Sequence, residues 1–274
     1  MNTRKLLGNA GLGLVSWAAV LVFLVPVAVV VINSLKSGAE AAIMNLQLPS
    51  VPEFANYLVV IERGKLFTTF VNSFIYSMGS SLLVVFLTLA AAFVLSRNKS
   101  RLSTVIYYFM VLGIALPLNY VALMKVMKLF GLINTQHGII LLYAAITIPI
   151  SLFISFGFVS TIPRELDEAA VIDGCRPHQL FLRIVLPLMQ PIAVTIFVLS
   201  FMTCWNDFIL PLYFLNSTDK WPMTLAVYNF FGIFQTQWNL VSADIVLTSL
   251  PVLIIFILGQ KYIVGGLTAG AVKG

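Results

Sequence analysis

The chain has 274 residues, of which 60% are hydrophobic and only 9% charged, with mean hydropathy +1.00. A water-soluble domain carries about 25% charged residues, so this composition excludes a soluble globular protein and requires most of the exterior to face lipid. The net charge is +6, but the basic residues cluster between apolar runs, as the cytoplasmic flanks of membrane helices do. That placement argues against nucleic acid as a partner.

A membrane-spanning helix needs about 20 apolar residues. Residues 6–35, 66–96, 102–124, 129–163 and 184–206 contain no Asp, Glu, Lys or Arg. A sixth stretch, 245–260, extends back past Asp244 to Leu240 and Val241. Trimmed to their most apolar cores, these predict helices near 12–33, 70–95, 104–126, 138–159, 190–213 and 242–263. The fold class is therefore all-α integral membrane, with six transmembrane helices. Arg4 and Lys5 precede the first span as they would precede a signal peptide. The apolar run is too long for one, and no small-residue cleavage site follows promptly, so it reads as an uncleaved anchor.

Alternating loops differ in basic content. Arg4, Lys5, Arg97, Lys99, Arg101, Arg164, Arg176, Arg183, Lys261 and Lys273 fall on one side, ten in all; Lys36, Arg63, Lys65, Lys125, Lys128 and Lys220 make six on the other. The richer side is expected in the cytoplasm, which puts both termini inside. Two outward loops are long. Residues 34–69 hold Pro49, Pro52 and Glu53, and residues 214–241 hold Trp221, Pro222 and Trp238. Their aromatic residues are either interfacial anchors or a docking surface for an external partner. Cys175 and Cys204 are the only cysteines and suggest no disulfide framework.

Between spans four and five lies IPRELDEAAVIDGCRPHQLFLRIVLPLMQP, residues 162–191. Thr161 can cap a helix that has Pro163 in its first turn. Glu165, Asp167 and Glu168 then sit where the helix dipole favours negative charge, and Gly174 supplies a left-handed stop. Leu166, Ala169, Ala170 and Asp173 share helical spacing, with the alanines making a small, flat surface. A second short helix can begin at Pro177 and is expected to end before Pro187, where proline removes a backbone donor and clashes with the preceding turn. Periodicity alone leaves two roles open: packing on the chain's own bundle, or docking another protein.

Polar groups at membrane depth are the other candidates. Asn119 and Tyr120 follow Pro117 in span three, and Trp205, Asn206 and Asp207 lie in span five. An ionisable group there faces a cavity or a partner, and aromatic and amide side chains suit sugars. Polar helix–helix packing is the plainer alternative. The chain contains no phosphate-loop motif and no nucleophile elbow. His137 and His178 lie in loops on opposite sides and cannot share a metal. No enzyme active site, cofactor or metal site is expected.

Glu168-Ala169-Ala170, three residues, Gly174, nine residues, then Ile184-x-Leu186-Pro187 resembles the E-A-A-x3-G-x9-I-x-L-P motif of ABC importer permeases at every fixed position. Gly131-Leu132-Ile133-Asn134-Thr135, Trp205-Asn206-Asp207-Phe208, Leu250-Pro251-Val252-Leu253 and the stretch from Gly266 to Gly274 extend the resemblance over the whole chain. It is similar to carbohydrate permeases, most of all to the smaller permease subunit of the maltose type. Cys175 departs from the alanine usual there, by a residue nearly as small.

The resemblance implies a type I importer permease fold: an N-terminal helix and first outer loop (1–66), a transmembrane domain (67–264) carrying a cytoplasmic coupling loop (162–190), and a cytoplasmic tail (265–274). It implies that Glu168, Ala169, Ala170, Asp173, Gly174, Ile184 and Pro187 couple to an ATPase. It further implies a second homologous permease, two ABC ATPase subunits, an extracytoplasmic solute-binding protein, and a di- or oligosaccharide as cargo. The setting is the inner, cytoplasmic membrane of a bacterium or archaeon, with membrane lipid around the spans. A proton-coupled secondary transporter is the rival class; the several intramembrane acids and inverted repeat it calls for are not apparent. An intramembrane enzyme is disfavoured by the empty catalytic inventory.

Overall fold

The computed structural model describes residues 3–232 and 236–271, with side chains throughout from residue 19 to residue 260 of those segments. The side chains of Arg4, Lys5 and Lys261, and residues 272–274 of the terminal motif, lie outside it. Among the described residues ten α-helices of six residues or more follow in order: α1 (Thr3–Ser34), α2 (Ala55–Arg63), α3 (Leu66–Arg97), α4 (Arg101–Leu112), α5 (Tyr120–Leu129), α6 (Gln136–Val159), α7 (Glu165–Ile172), α8 (Gln190–Asn206), α9 (Ile209–Phe214) and α10 (Trp238–Ala271). Among the described residues the only β pairing is one isolated bridge, Phe231 to Thr236.

Among the described residues three helices are long and apolar enough to cross a membrane: α3, α6 and α10 over Trp238–Gln260. The segment Pro177–Leu188 and α8, which meet at a 74° bend, are apolar enough only when taken together. Two shorter apolar segments, Ala19–Ser34 of α1 and the whole of α4, lie at the other two expected positions. The last helix also runs further than expected, to Ala271, so the described part of the anticipated tail is helical.

Two expected spans are broken. Span three, read as one helix over 104–126, is α4 and α5 with a gap between Leu112 and Tyr120. Pro117 in the gap drives the preceding residue away from helical backbone. Asn119 then restarts the helix as its N-cap, accepting from the Ala122 N–H at 3.0 Å. Span five, read over 190–213, stops at Asn206, because Asp207 has extended backbone (ψ 137°), and restarts at Ile209.

The chain forms two compact units, and residues 1–67 with 226–250 make the first. Its apolar centre is Val60, Phe230, Leu240, Val241 and Ala243. Beside it the amine of Lys36, 2% exposed, donates to Asn33 Oδ1 at 3.1 Å, the Asn45 carbonyl at 3.0 Å and Asn45 Oδ1 at 2.7 Å. Asn56 donates to the carbonyls of Ser34 and Lys36, both at 2.9 Å, and accepts from Asn239 at 2.8 Å. Burial of these polar groups is tolerated because each finds a partner.

Residues 68–225 with 251–274 make the second unit. Within it α3 reads inside out: Ser73, Ser77, Ser80, Ser81, Val84, Thr88 and Ala92 are buried, while Phe74, Leu82, Phe86 and Val94 are exposed. Small residues inside and large apolar ones outside is the arrangement of a helix packed on one side and wetted by lipid on the other. The loop after α9 is stitched back to α3. Asn72 donates to the carbonyls of Asp219 and Trp221, Tyr76 donates to that of Lys220, and the Met223 N–H donates to Ser73 Oγ. Lys220 reaches the Asn134 carbonyl at 2.6 Å, closing the corner before α6.

Candidate functional site

The motif-bearing residues 162–190 fold into a bracket of two helical stretches joined at Gly174. Its helix α7 starts at Arg164, and Thr161 does not cap it: the Thr161 hydroxyl bonds back to the Phe158 carbonyl at 2.7 Å, finishing α6 instead. Three acids occupy the first turn of α7, as its dipole favours. At the other end the Cys175 N–H donates to the Ala170 carbonyl at 2.9 Å and the Gly174 N–H to Val171 at 3.0 Å. That pair of bonds is a Schellman closure, and it needs the left-handed backbone that Gly174 adopts at φ +80°.

The two alanines divide the helix. Ala170 is 4% exposed and joins the core, whereas Ala169, Glu165, Glu168 and Asp173 are exposed. Val171 and Ile172 are 63% and 85% exposed, side by side at the tip. Small, acidic and apolar groups thus share one outward surface, while Cys175 packs partly buried against the core.

Beyond Gly174, Pro177 starts the second helical stretch, which does not end before Pro187. Leu180–Val185 form a π-helical turn and Leu186–Leu188 return to α geometry, with Pro187 in that first turn. The wider turn resets the hydrogen-bond register, so proline stands where its missing donor is not required. Ile184 packs on the core from this turn, and Pro187 is exposed.

The polar residues of the spans gather at the breaks. Asp207 accepts from Tyr143 Oη at 2.9 Å and from the N–H groups of Leu210 at 3.0 Å and Ile209 at 3.3 Å. Its own carbonyl accepts from Thr224 Oγ1 at 2.8 Å. Set one residue before the N-cap, Phe208, the carboxylate therefore satisfies two N–H groups at the start of α9, and these bonds meet the cost of holding it inside the protein. Asn206 beside it is exposed and Asp207 half-buried. Trp205, expected to offer a face to a sugar, is 2% exposed, stacked on Phe201 at 5.5 Å with Phe70 edge-on at 5.9 Å.

Asn119 caps α5 and stays exposed, and Tyr120 lies 5.4 Å from the ring of Tyr213 on α9. The two broken spans therefore meet through an aromatic pair, and Tyr213 is 48% exposed. Tyr213 and Tyr143 were not singled out from sequence; reading span five as two pieces would have placed Tyr213 on the short helix after Asp207. Asp244, passed over as a span boundary, is 1% exposed in α10, and its Oδ1 has no hydrogen-bond partner among the described residues. Among those residues no cluster of His, Cys, Asp and Glu could hold a metal.

Residues 87–268 match the family described as "Binding-protein-dependent transport system inner membrane component". The chain is 31% identical over 255 residues to the probable starch degradation products transport system permease protein of Thermoanaerobacterium thermosulfurigenes, covering 92% of this chain and 93% of that one. It is 31% identical over 264 residues to the diacetylchitobiose uptake system permease protein of Streptomyces coelicolor, covering 95% and 87%. With the melibiose/raffinose/stachyose import permease protein of Bacillus subtilis it shares 32% identity over 253 residues, 91% of each chain. A solved structure of a bacterial ABC transporter involved in the import of the acidic polysaccharide alginate superposes with TM-score 0.82 at 21% identity, covering 96% of this chain and 98% of that one.

Proposed function

The chain belongs to the binding-protein-dependent transport system inner membrane components, and from that premise we propose that it is a permease subunit of an ATP-driven ABC importer carrying a di- or oligosaccharide. The observation that carries the reading is the α7 bracket. A helix closed by a Schellman turn at Gly174 presents Glu168, Ala169, Val171 and Ile172 outward on a stiff mount. That is what an ATPase subunit needs to push against. Asp173, Gly174, Ile184 and Pro187 shape the mount.

Two ABC ATPase subunits dock at α7 and at its counterpart in a second homologous permease, and an extracytoplasmic binding protein delivers the sugar. The ten-to-six basic asymmetry supports a cytoplasmic α7 and cytoplasmic termini. Asn119, Tyr120, Asn206 and Asp207 border the path, with Trp205 behind the wall. Carbohydrate as cargo is supported by the names of the three relatives. ATP hydrolysis belongs to the partner subunits; this chain is not itself an enzyme.

Proton-driven transport has one observation in its favour, the buried and incompletely partnered carboxylate of Asp244; Asp207 is already committed to Tyr143 and the start of α9. Reconstitution with the ATPase subunits, the second permease and the binding protein in proteoliposomes decides between the two. Uptake that requires ATP and ignores a protonophore is expected. Uptake driven by a proton gradient without ATP rejects the importer reading. In intact cells an impermeant thiol reagent should miss Cys175 and label a Thr218→Cys variant; labelling of Cys175 from outside would invert the topology.

A further inference from the structure

The cytoplasmic end of α3 and the first turn of α7 are joined side chain to side chain. Arg97 is the last residue of α3 and Asp167 the third of α7. The Arg97 Nε stands 2.6 Å from Asp167 Oδ2 and its Nη2 3.4 Å from Oδ1, with the two side chains 14% and 16% exposed. Both Nη atoms of the same guanidinium donate to the Ile162 carbonyl, each at 3.3 Å. Returning across the joint, Arg164, the N-cap of α7, donates from Nη2 to the Ser96 carbonyl at 2.9 Å. That bond satisfies one of the carbonyls a helix C-terminus leaves open. One turn earlier on α3, Phe93 packs on Phe181 of the π-helical turn with ring centroids 5.2 Å apart.

Each charge sits where its own helix favours it, the cation at the C-terminus of α3 and the anion at the N-terminus of α7. The planar, five-donor guanidinium holds a carboxylate and a carbonyl at once, which an ammonium on a flexible stem does not. Asp167 is also withdrawn from the outward acidic face, where Glu165 and Glu168 remain exposed. The covalent routes out of α7 are less direct. Residues 160–164 form the turn back to α6, and α8 is reached only through a π-helical turn and a 74° bend.

We propose that Arg97 and Asp167 are positioning residues that fasten α3 to α7, so that a displacement of α7 is delivered to α3 directly as well as along the chain to α6 and α8. The inference rests on the coupling role proposed above for α7. Breaking the ion pair leaves the outward docking surface intact and weakens one of three connections through which the spans are driven, leaving the Arg164 bond and the Phe93–Phe181 contact across it. Its signature is uncoupling, with ATP hydrolysis continuing while transport falls.

The test uses the complete complex in proteoliposomes with its binding protein and sugar. Asp167→Asn and Arg97→Gln should retain the ATPase subunits at normal stoichiometry and keep sugar-stimulated ATP hydrolysis within about twofold, while sugar carried per ATP falls at least about fivefold. Asp167→Glu, which keeps the ion pair within reach, should recover most of the ratio. An unchanged ratio in both neutral variants overturns the joint, and so does a parallel fall of hydrolysis and transport that leaves the ratio intact. ATPase subunits washing off Asp167→Asn membranes would make Asp167 a docking contact and likewise overturn it. Failure of the wild-type complex to show ATP-dependent uptake defeats the functional reading itself, a separate result.

Discussion

The bracket around α7 and the break around Asp207 both interrupt the run of membrane helices, by opposite means. At the bracket a guanidinium and a carboxylate close on each other at 2.6 Å, and a glycine at φ +80° ends the helix abruptly. At the break the carboxylate meets no cation in its hydrogen bonds; a tyrosine hydroxyl and two backbone N–H groups hold it. The difference suits the two positions. Under the roles proposed above, charge pairing with a stiff turn transmits force, whereas hydrogen bonds to neutral groups hold a polar residue steady beside the path and leave Asn206 exposed.

The largest expected effect breaks the bracket. Gly174→Val should abolish uptake while the protein still inserts, because a left-handed conformation costs a side-chain-bearing residue about 1–2 kcal/mol, and a β-branched one more. A Cβ there meets no atom within 4 Å, so the penalty is conformational and Gly174→Asn, which tolerates that region, should retain much of the activity. Uptake assays paired with retention of the ATPase subunits on membranes check both. Equal loss in the Val and Asn variants would indicate a steric cause.

Next comes the break. Asp207→Asn should reduce uptake partially and leave the remainder insensitive to a protonophore at constant ATP, since the amide keeps the size and part of the bonding. Tyr143→Phe, which removes one donor, should do less, at about 1 kcal/mol for a hydrogen bond. Complete loss in Asp207→Asn with sugar binding intact would assign the carboxylate a proton-carrying role and erase the contrast between the regions.

Smaller effects concern the helices that run from one region to the other. A Cβ on Gly259 would sit 2.7 Å from Val198 Cγ2, so α10 packs tightly on the middle of α8. Gly259→Ala should lower Tm in detergent, with a cost of about 1–3 kcal/mol for overpacking, and slow transport mildly. Thr135 caps α6 by accepting from the Gly138 N–H at 3.0 Å. Thr135→Ala should remove about 1 kcal/mol, lowering Tm without changing sugar carried per ATP. A change in that ratio would mean the cap itself belongs to the transmitting machinery.

The number and type of spans were legible because absence of charge over 20 or more residues is a strong, local signal. Gly174 was legible for the same reason: after an acidic start and a helical pattern, only a left-handed stop fits. The two breaks were not, since Gly113 and Pro117 sit inside a charge-free run, and Asp207, which ends one, is followed at once by the apolar residues 208–215, so each stretch reads as a single span. Thr161 misled because either neighbouring helix could use its hydroxyl, and the end of α6 took it. Pro187 misled because a π-helical turn, which sets it at the start of a new register, has no residue pattern of its own. Trp205 and Asp244 could not be ranked from sequence, where a buried aromatic and a path-lining one look alike. Arg97 and Asp167 are 70 residues apart, and nothing local pairs them.

The first compact unit joins the beginning of the chain to residues 226–250, and its amide link between Asn56 and Asn239 spans 183 positions. A ribosome inserting this protein therefore delivers the first span and outer loop long before their partners exist. Until α10 emerges, Asn56 lacks one of its bonds and Val60 lacks its apolar neighbours. A nascent chain halted after α9 would carry this unit half-built, a ready mark for surveillance proteases. Synthesis of α10 then supplies the partners that the early segments lack.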